Sequence, residues 1–352
     1  MRQVPILPLN QNPLGALPAR FRRQRLLIIG FGDVAQRVAL QIIGRQEPQT
    51  ATAQQIPGAQ LQVSQRGPRL LALTRDASRV PAIRALKVTP LLGDLDAPKS
   101  LRRLAGIATR VLHLAPPPSL AEAQPGWRQD SRTAALIRAL RRGTAPQAMV
   151  YGSTSGVYGD CQGAWVDESR TVAPSTARAQ RRVHAEQSLR RLSKPSRAGG
   201  AFISATRVSI VRIPGIYAPN REGGTPRARL LRGTPVLRAQ DDVFTNHIHA
   251  DDLARAVWLA LWRGKPGRIY HASDDTELRM GDYFAFAAQL YGLPEPERIS
   301  RAQASEQLPA SLLSFMGESR RLRNQRMKSE LGLTLRYPTV EQGLRSEPGN
   351  EK

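Results

Sequence analysis

The sequence is poor in the residues that form disulfides, zinc sites and membrane spans. Of 352 residues only one is cysteine, Cys161, which excludes an internal disulfide and a multi-cysteine zinc site. The longest helical apolar run, 256–262, is far below the roughly 20 residues that cross a bilayer. Residues 1–24 lack the continuous apolar core of a signal peptide and the serines of a transit peptide. We therefore expect a soluble, cytoplasmic protein with no membrane partner.

Lysine and acidic residues are also scarce compared with arginine. The chain has 52 basic residues, of which only six are lysine, against 28 acidic ones, and its formal net charge is +24. Such a charge attracts phosphates and acidic ligands. The arginines are nevertheless spread over the whole chain, aromatic residues make up only 5%, and no zinc-finger, leucine-zipper or RNA-binding pattern occurs. We therefore do not expect nucleic acid as a partner.

What the sequence does contain is a regular alternation of apolar runs and helical patterns. Branched apolar residues predict seven strands, at 26–29, 69–73, 88–92, 110–114, 148–151, 208–213 and 268–271. Helical spacing between the first five predicts helices at 34–43, 77–86, 101–107 and 131–142. The alternation predicts an α/β fold with a Rossmann-type, doubly wound parallel sheet of about seven strands and a smaller C-terminal substrate lobe.

The same patterns divide the chain into a core, a lobe and irregular segments. We expect flexible tails at 1–24 and 346–352 and a glutamine-rich surface insertion at 46–67. We assign the dinucleotide-binding core to 25–217, completed by 244–275, and the substrate lobe to 218–243 and 276–345.

A glycine-rich turn links the first strand to the first helix. Gly30-x-Gly32-x-x-Ala35 has the spacing at which the first glycine permits a tight turn and the second lets the backbone approach a pyrophosphate. The small residue at position 35 allows close helix packing, and the helix N-terminus then faces the phosphates. This arrangement predicts dinucleotide binding.

The end of the second strand bears on which dinucleotide binds. NAD sites usually place an acidic residue there for the ribose 2′-hydroxyl, whereas an arginine suits a 2′-phosphate. The strand ends in Thr74-Arg75, which favours NADP over NAD. NAD stays open as the alternative because Asp76 is adjacent.

An ordered series of motifs resembles the extended short-chain dehydrogenase/reductases, the NAD-dependent epimerase/dehydratase-like proteins. The series consists of Gly30–Ala35, Gly93-Asp94-Leu95, His113-Leu114-Ala115, Ser153–Asp160, Arg212–Tyr217 and Ile248–Ala254. The tail from Ser319 to Pro338 is similar to one atypical bacterial subgroup of this family, whose substrate is unsettled. The resemblance covers roughly residues 25 to 345.

The resemblance implies roles for individual residues. It places Asp94 near the adenine and Thr154 where the family has an active-site serine or threonine. It also implies a group of residues that contact the cofactor: Asp33, Val34, Leu114, Ala115 and Pro116.

The resemblance fails at the catalytic pair. The family uses tyrosine and lysine four residues apart, and the lysine lowers the pKa of the phenol so that it can exchange a proton. In the matching stretch, Arg178 stands in the tyrosine position and Arg182 in the lysine position. Arginine remains protonated at usable pH, so it donates hydrogen bonds but cannot act as a general base. The usual proton relay is therefore absent.

Two interpretations follow from this departure. In the first, the protein is an NADP-dependent oxidoreductase or epimerase-like enzyme in which Thr154, Arg178 and Arg182 bind the substrate and Tyr158 or Asp160 handles the proton. In the second, it is a non-catalytic NADP(H)-binding sensor or scaffold. The expected partners are a small-molecule substrate and, as one arrangement, a second copy of the chain.

Other candidate chemistries have simpler explanations. Gly152–Gly156 resembles a nucleophile elbow, but threonine stands at its centre and no helix pattern follows. His247-x-His249 followed by two aspartates has the density of a metal site, yet Asp252 fits better as the carboxylate that caps a helix, and we expect no metal. The arginines in and around residues 214–237 form either a solvated basic face or a site for an anionic substrate: Arg212, Arg221, Arg227, Arg229 and Arg232.

Overall fold

A computed structural model describes residues 24–44, 67–119, 124–194, 196–198, 201–203 and 205–346. The predicted tails at 1–24 and 346–352 and the predicted insertion at 46–67 lie outside these residues, apart from Gln24, Gly67 and Ser346.

The strands are, in chain order, β1 (Arg25–Ile29), β2 (Arg69–Thr74), β3 (Thr89–Leu92), β4 (Arg110–His113), β5 (Ala148–Thr154), β6 (Trp165–Val166), β7 (Ser196–Ala198), β8 (Ala201–Ile203), β9 (Arg207–Ile213), β10 (Gly215–Tyr217), β11 (Val236–Leu237), β12 (Phe244–Thr245), β13 (His247–His249), β14 (Ile269–His271), β15 (Leu278–Arg279), β16 (Arg298–Ile299) and β17 (Arg321–Leu322).

The α-helices are α1 (Asp33–Gly44), α2 (Val80–Ala85), α3 (Ser131–Leu140), α4 (Ala177–Arg190), α5 (Arg227–Leu231), α6 (Ala250–Arg263), α7 (Met280–Tyr291), α8 (Arg301–Gln307), α9 (Ala310–Met316), α10 (Gln325–Leu331) and α11 (Val340–Arg345). Short 3₁₀ helices span Ala77–Arg79, Pro98–Leu104, Ser155–Tyr158 and Arg191–Ser193.

The central sheet has seven strands in the order β14-β9-β5-β4-β1-β2-β3, and every neighbouring pair is parallel. The predicted fold class and all seven predicted strands are confirmed. Both faces of the sheet are covered, which is why β1 reads as an unbroken apolar run in which Leu26 to Ile29 are almost completely buried. One face packs on α1 and α6, and the other packs on α3, α4 and the 3₁₀ helix at 98–104.

Two predicted helices differ from the structure. The helix expected at 101–107 is a 3₁₀ helix over Pro98–Leu104, and the one expected at 77–86 divides into a 3₁₀ turn and the short α2. A proline stands at the start of α2 and of the 3₁₀ helix at 98–104, where its missing N–H costs no helical hydrogen bond. Both segments still bury their apolar side chains, Ile83 in one and Leu101 and Leu104 in the other.

The start of α6 also corrects a prediction. The residue before the helix is His249, whose Nδ1 accepts a hydrogen bond from the backbone N–H of Asp251 at 3.2 Å. The completely buried Asp252 instead accepts hydrogen bonds from the backbone N–H groups of Arg336 and Tyr337 at 2.8–2.9 Å. Its carboxylate therefore holds the C-terminal segment rather than capping α6.

A second hydrophobic core forms the lobe. It contains Tyr217, residues of α5, α7 and α11, and the strand pair β11 with β16. A second short pair, β12 with β15, lies beside it. Residues 325–335, assigned to the lobe from the sequence, pack through Met327 and Leu331 on the core that contains α6. No helix among the described residues has the length and apolarity to cross a bilayer.

Candidate functional site

The turn after β1 has the backbone that its glycines require. Gly30 has a φ of +88°, and a Cβ placed there would lie 2.4 Å from the backbone nitrogen of Ala115. That nitrogen and the nitrogen of Leu114 donate to the carbonyl of Ile29 at 3.0 and 2.8 Å, so β4 and the turn are fixed against each other. A Cβ at Gly32 would meet nothing within 4 Å. The turn is therefore packed on its inner side and open on its outer side, as a phosphate-binding turn must be.

A cavity of about 380 Å³, which we call the glycine-turn cavity, opens beside this turn. It lies at the carboxyl ends of the parallel strands, where β1 is flanked by β2 on one side and β4 on the other. Six of the predicted cofactor residues line it: Gly30, Gly32, Asp33, Val34, Ala35 and Leu114. Thr154, Arg178 and Arg182 of the predicted catalytic set line it as well.

The end of β2 presents arginines next to the glycine turn. Arg75 is exposed, and Arg79 donates from Nη2 to the carbonyl of Phe31 within the turn at 2.7 Å. The carboxylate of Asp76 accepts from the backbone N–H and hydroxyl of Ser78 at 2.9 and 2.6 Å, which lowers its pKa. Thr74 is buried and closes this turn through hydrogen bonds with Asp76. Asp76 is thus committed to local structure.

The other predicted cofactor residues lie at the neighbouring strand ends. Asp94, which follows β3, accepts from the backbone N–H of Asp96 at 3.0 Å. Ala115 is buried against the glycine turn, whereas Pro116 is exposed and accepts from Arg132 at 3.3 Å.

Helix α4 carries the two arginines that replace the family's tyrosine and lysine. The Nη1 atom of Arg182 donates to the carbonyl of Gly152 at 2.7 Å and contacts the hydroxyl of Tyr151 at 3.1 Å. Arg178 is exposed, and its guanidinium carbon lies 5.0 Å from the ring centroid of Phe315. Arg182 is therefore built into the cavity floor, while Arg178 makes no side-chain hydrogen bond or ion pair with any other described residue.

A second cavity, of about 330 Å³, lies between the carboxyl ends of the sheet strands and the lobe, and we call it the lobe cavity. It shares five lining residues with the glycine-turn cavity: Thr154, Arg178, Pro214, Ile216 and Phe315. Thr154 ends β5 and accepts from the backbone N–H of Gly156 at 3.2 Å, which fixes its hydroxyl at the junction. A molecule in one cavity would therefore adjoin a molecule in the other.

The lobe cavity is lined by polar groups that lack protein partners. Thr245 and His247, two positions apart in the chain, both line the cavity. Oγ1 of Thr245 and Nδ1 of His247 are buried without a hydrogen-bond partner among the described residues. Burial lowers the pKa of His247 to about 4, so its imidazole is neutral near pH 7. The ring of Tyr283 lies 4.4 Å away, and burial raises the pKa of its hydroxyl.

Arg229 adds a positive charge to the same wall. Its guanidinium carbon stands 5.3 Å from the ring centroid of Phe284, and burial lowers its pKa. Its side chain has no hydrogen bond or ion pair with another residue in the described part of the chain.

A buried ion pair supports the strand ends beneath the site. Arg212 of β9 contacts both carboxylate oxygens of Glu186, at 3.1 and 2.7 Å, and Ser153 donates to the same carboxylate at 2.6 Å. All three residues are buried. This arrangement fixes the residue that precedes Thr154, and it removes Arg212 from the arginines that could bind an anion.

The structure does not bring Tyr158 into either cavity. Its side chain is 1% exposed, its hydroxyl donates to Nε2 of His271 at 2.6 Å, and burial raises its pKa to about 12. Asp160 accepts from the backbone of Gln162 and Ser319 and lines neither cavity. Cys161 is buried, and burial raises the pKa of its thiol.

The strand-end histidine His113 is explained by packing as well. His113 is hydrogen bonded to Thr133 at 2.9 Å, as expected for a strand-end residue, and burial lowers its pKa to about 3. Three or more histidine, cysteine or acidic residues do not converge on a metal-sized site anywhere in the described ranges.

Sequence reasoning missed two contributors to the site. Phe315 lines both cavities and Tyr283 lines the lobe cavity, although each lies far from the motifs in the chain. Arg221, which the sequence indicated only as a possible anion-binding arginine, lines the glycine-turn cavity. The motif Arg212–Tyr217 gave a partial signal, because Pro214 and Ile216 stand where the two cavities meet.

The chain is similar to known proteins both in sequence and in structure. The sequence model of the NAD dependent epimerase/dehydratase family matches residues 61–273. Protein YeeZ of Escherichia coli (strain K12) is 27% identical over 190 residues, which are 54% of this chain and 58% of YeeZ. The chain thus spans less than two thirds of that relative's length.

Solved structures match over most of the chain. A functionally unknown conserved protein from Silicibacter pomeroyi DSS is 28% identical with a TM-score of 0.69, covering 92% of this chain and 97% of the other. MoeE5 in complex with UDP-glucose and NAD has 20% identity and a TM-score of 0.64, covering 92% and 96%. The UDP-glucuronic acid 4-epimerase from Bacillus cereus in complex with NAD has 14% identity and a TM-score of 0.65, covering 92% and 97%. The last two are similar in fold alone.

Proposed function

Because the chain belongs to the NAD dependent epimerase/dehydratase family, we propose that it is an NADP-dependent oxidoreductase of epimerase/dehydratase type acting on a small anionic substrate. The observation that carries this proposal is the junction of the two cavities at Thr154 and Arg178. One cavity adjoins a glycine turn of dinucleotide-binding form, and the other is lined by unpartnered polar and cationic groups. A cofactor and a substrate bound in them would meet at these two side chains.

The glycine turn fits a nicotinamide dinucleotide, since it leaves open space at Gly32 and presents the N-terminus of α1. When bound, such a cofactor supplies or accepts a hydride. Arg75 and Arg79 support NADP rather than NAD, because they follow β2, where an arginine suits a 2′-phosphate, Arg79 contacts the turn, and Asp76 is occupied by Ser78.

The lobe cavity supports an anionic substrate. Arg178 and Arg229 carry its unpaired positive charges, and arginine keeps its charge across the pH range of most assays. A carboxylate or phosphate bound by either guanidinium would form a charge-assisted hydrogen bond. The Thr154 hydroxyl would then orient a carbonyl or hydroxyl group of the substrate toward the glycine-turn cavity.

Neither Arg178 nor Arg182 can accept the proton that accompanies hydride transfer. Of the titratable groups on the lobe-cavity wall, Glu318 is paired with Arg320 and the Tyr217 hydroxyl donates to Thr339, which leaves the neutral imidazole of His247 and the hydroxyl of Tyr283. We assign the proton to this pair in place of Tyr158, which is buried away from both cavities.

The second candidate function is non-catalytic NADP(H) binding by a sensor or scaffold. It is favoured by the replacement of the tyrosine and lysine by Arg178 and Arg182, and by the fixed position of Arg182 in the floor.

Calorimetric titration with NADPH, NADP, NADH and NAD tests the cofactor assignment, with the variants Arg75→Ala and Arg84→Ala. Arg84 is the control because it is an exposed arginine of the nearby α2. We expect the wild type to prefer the phosphorylated pair, and only Arg75→Ala to lose that preference. Equal affinity for all four cofactors would overturn the assignment to NADP. If none of the four bound, the proposed function itself would be overturned.

Turnover separates the two candidates. Nicotinamide absorbance should change when the protein is mixed with NADPH and a panel of oxo acids, sugar phosphates and sugar nucleotides. Tight NADPH binding with no change across the panel would instead favour the sensor. For any substrate found, Arg229→Gln should raise KM more than it lowers kcat, because the arginine binds the anion in ground and transition states alike.

A further inference from the structure

Arg221 lies on a tight loop that connects the two cavities. The loop follows β10, and the Ala218 N–H donates to Gly224 at 3.2 Å while the Gly224 N–H donates to Arg221 at 2.9 Å. A Cβ at Gly224 would lie 2.4 Å from the Ala218 oxygen, so the loop closes only around glycine. Arg221 lines the glycine-turn cavity, whereas Gly224 and Thr225 line the lobe cavity.

The side chain of Arg221 reaches from the lobe to the start of α1. Its Nε lies 3.1 Å from Oδ2 of Asp33, and its Nη1 donates to the carbonyl of Ile216 at 3.2 Å. No acceptor among the described residues engages Nη2, and the side chain is 30% exposed. Arg221 is therefore held on one side and has a free donor in a cavity that Gly32 also lines.

A phosphate bound at the start of α1 would need a nearby cation to offset the negative charge of Asp33. Asp33 occupies the first turn of α1, where a phosphate would bind, and its carboxylate would repel that phosphate. Arg37 contacts Asp33 at 3.0 Å but also donates to Asp251 at 2.6 Å and to Asn220 at 2.7 Å. Every guanidinium nitrogen of Arg37 thus has an acceptor, whereas Nη2 of Arg221 has none among the described residues, so Arg221 is the freer cation of the two.

We propose that Arg221 binds the diphosphate of the dinucleotide from the lobe side, while Asp33 holds its Nε in position. The proposal rests on the proposed function, since it requires a dinucleotide in the glycine-turn cavity. It adds a contact that the glycine turn does not provide. The contact makes the loop that forms part of the lobe-cavity wall sensitive to cofactor binding.

Calorimetric titration of the full chain with NADP, NAD, ADP and 2′-AMP tests this assignment. Arg221→Gln should weaken NADP, NAD and ADP by about 10- to 100-fold, the value of a lost charge-assisted hydrogen bond. Binding of 2′-AMP should be unchanged, because that probe carries a phosphate but no diphosphate. Arg227→Gln is the matched control, an exposed arginine at the start of α5, and should bind all four as the wild type does.

A double variant separates direct contact from simple neutralisation of Asp33. If Arg221 touches the diphosphate, Asp33→Asn with Arg221→Gln stays weak, and Asp33→Asn alone keeps wild-type affinity or gains some. Recovery of wild-type affinity in the double variant would overturn the proposal. So would an unchanged affinity in Arg221→Gln.

Stability and wild-type binding distinguish the remaining outcomes. Thermal unfolding of each variant shows whether the fold is retained, and Arg221→Lys, which keeps the charge, should recover part of the affinity if Arg221→Gln is unstable. Failure of Arg221→Lys to exceed Arg221→Gln would overturn the proposal. If the wild type binds none of the diphosphate probes, the proposed function is overturned. If the wild type binds them and Arg221→Gln binds them equally well, only this inference is overturned.

Discussion

Two glycines separated by one residue have different physical tasks in the turn after β1. Gly30 needs a positive φ and has the backbone of Ala115 against it, whereas Gly32 has neither constraint. A similar division holds for the arginines, since Arg212 is buried in an ion pair and Arg178 is exposed in a cavity. At the residue scale, identical side chains can therefore be assigned to folding or to binding by their surroundings.

Alanine substitutions at the two glycines should have different effects. Gly30→Ala should destabilise the protein by roughly 1–3 kcal/mol, because its Cβ overlaps the Ala115 nitrogen and its φ is strained. Gly32→Ala should leave the free energy of unfolding nearly unchanged but weaken NADP binding. Urea unfolding and calorimetry on the two variants check this. Equal destabilisation by both would show that the turn has no open side.

The buried ion pair gives the second prediction. Arg212→Met leaves Glu186 charged and buried without its partner, and should cost about 3–5 kcal/mol in urea unfolding. Arg345→Met is the control, since its pair with Glu341 is more than half exposed and should be worth less than about 1 kcal/mol. A loss below 1 kcal/mol for Arg212→Met would contradict the buried pair.

At the scale of elements, helix ends and strand ends determine how the lobe is attached. Helix α6 is capped by His249, which leaves Asp252 free to bind the backbone of residues 336–337. Strand β17 pairs with β6, and α10 packs on α6, so the C-terminal segment crosses from the lobe to the core. The position of the lobe therefore depends on a few contacts at these ends.

Asp252→Asn tests this attachment. Asparagine loses the charge that strengthens the hydrogen bonds from Arg336 and Tyr337, and we expect a cost of about 1.5–3 kcal/mol. Hydrogen exchange should rise in residues 332–346 before it rises in the central sheet. Asp282→Asn, at a half-exposed pair with Arg298, is the control. Uniform exchange across the chain would argue against a local attachment.

At the scale of the whole molecule, a chain of net charge +24 buries several titratable groups in neutral form. Burial lowers the pKa of His113 and His271 to about 3 and that of His247 to about 4. Burial also raises the pKa of Asp274 to about 8. These groups make stability depend on pH in opposite directions.

The direction of each pH dependence follows from whether the folded or the unfolded chain binds the proton more tightly. Each histidine binds a proton in the unfolded chain near pH 6.5 but not in the folded one, so its contribution is present above that pH and is lost as pH falls toward 4. Asp274 stays protonated in the folded state, so its contribution is present below about pH 4 and is lost as pH rises toward 8.

His271→Gln isolates one histidine. The unfolding free energy of the variant should depend on pH less steeply than that of the wild type between pH 6 and 4.5, by about 1.4 kcal/mol per pH unit. Urea unfolding at several pH values measures the slope. In the wild type, the NMR signals of His113 and His271 should not titrate above pH 5. A titration near pH 6.5 would contradict their burial as neutral rings.

The sequence by itself determined the parallel sheet, its seven strands and the glycine turn. These features depend on apolar runs and on glycine at Gly30, which are local properties of the chain. The replacement of the family's catalytic pair by Arg178 and Arg182 was equally visible, because helical spacing keeps residues four apart on one face.

Only the tertiary structure decided which side chains reach the cavities. Tyr158 lies within a motif yet is buried against His271, while Tyr283 lies more than a hundred residues further on and lines the lobe cavity. Arg221 and Asp33 meet across 188 positions of chain. Contacts of this kind depend on how the lobe packs against the sheet, and since local spacing carries no information about that packing, the sequence alone did not reveal them.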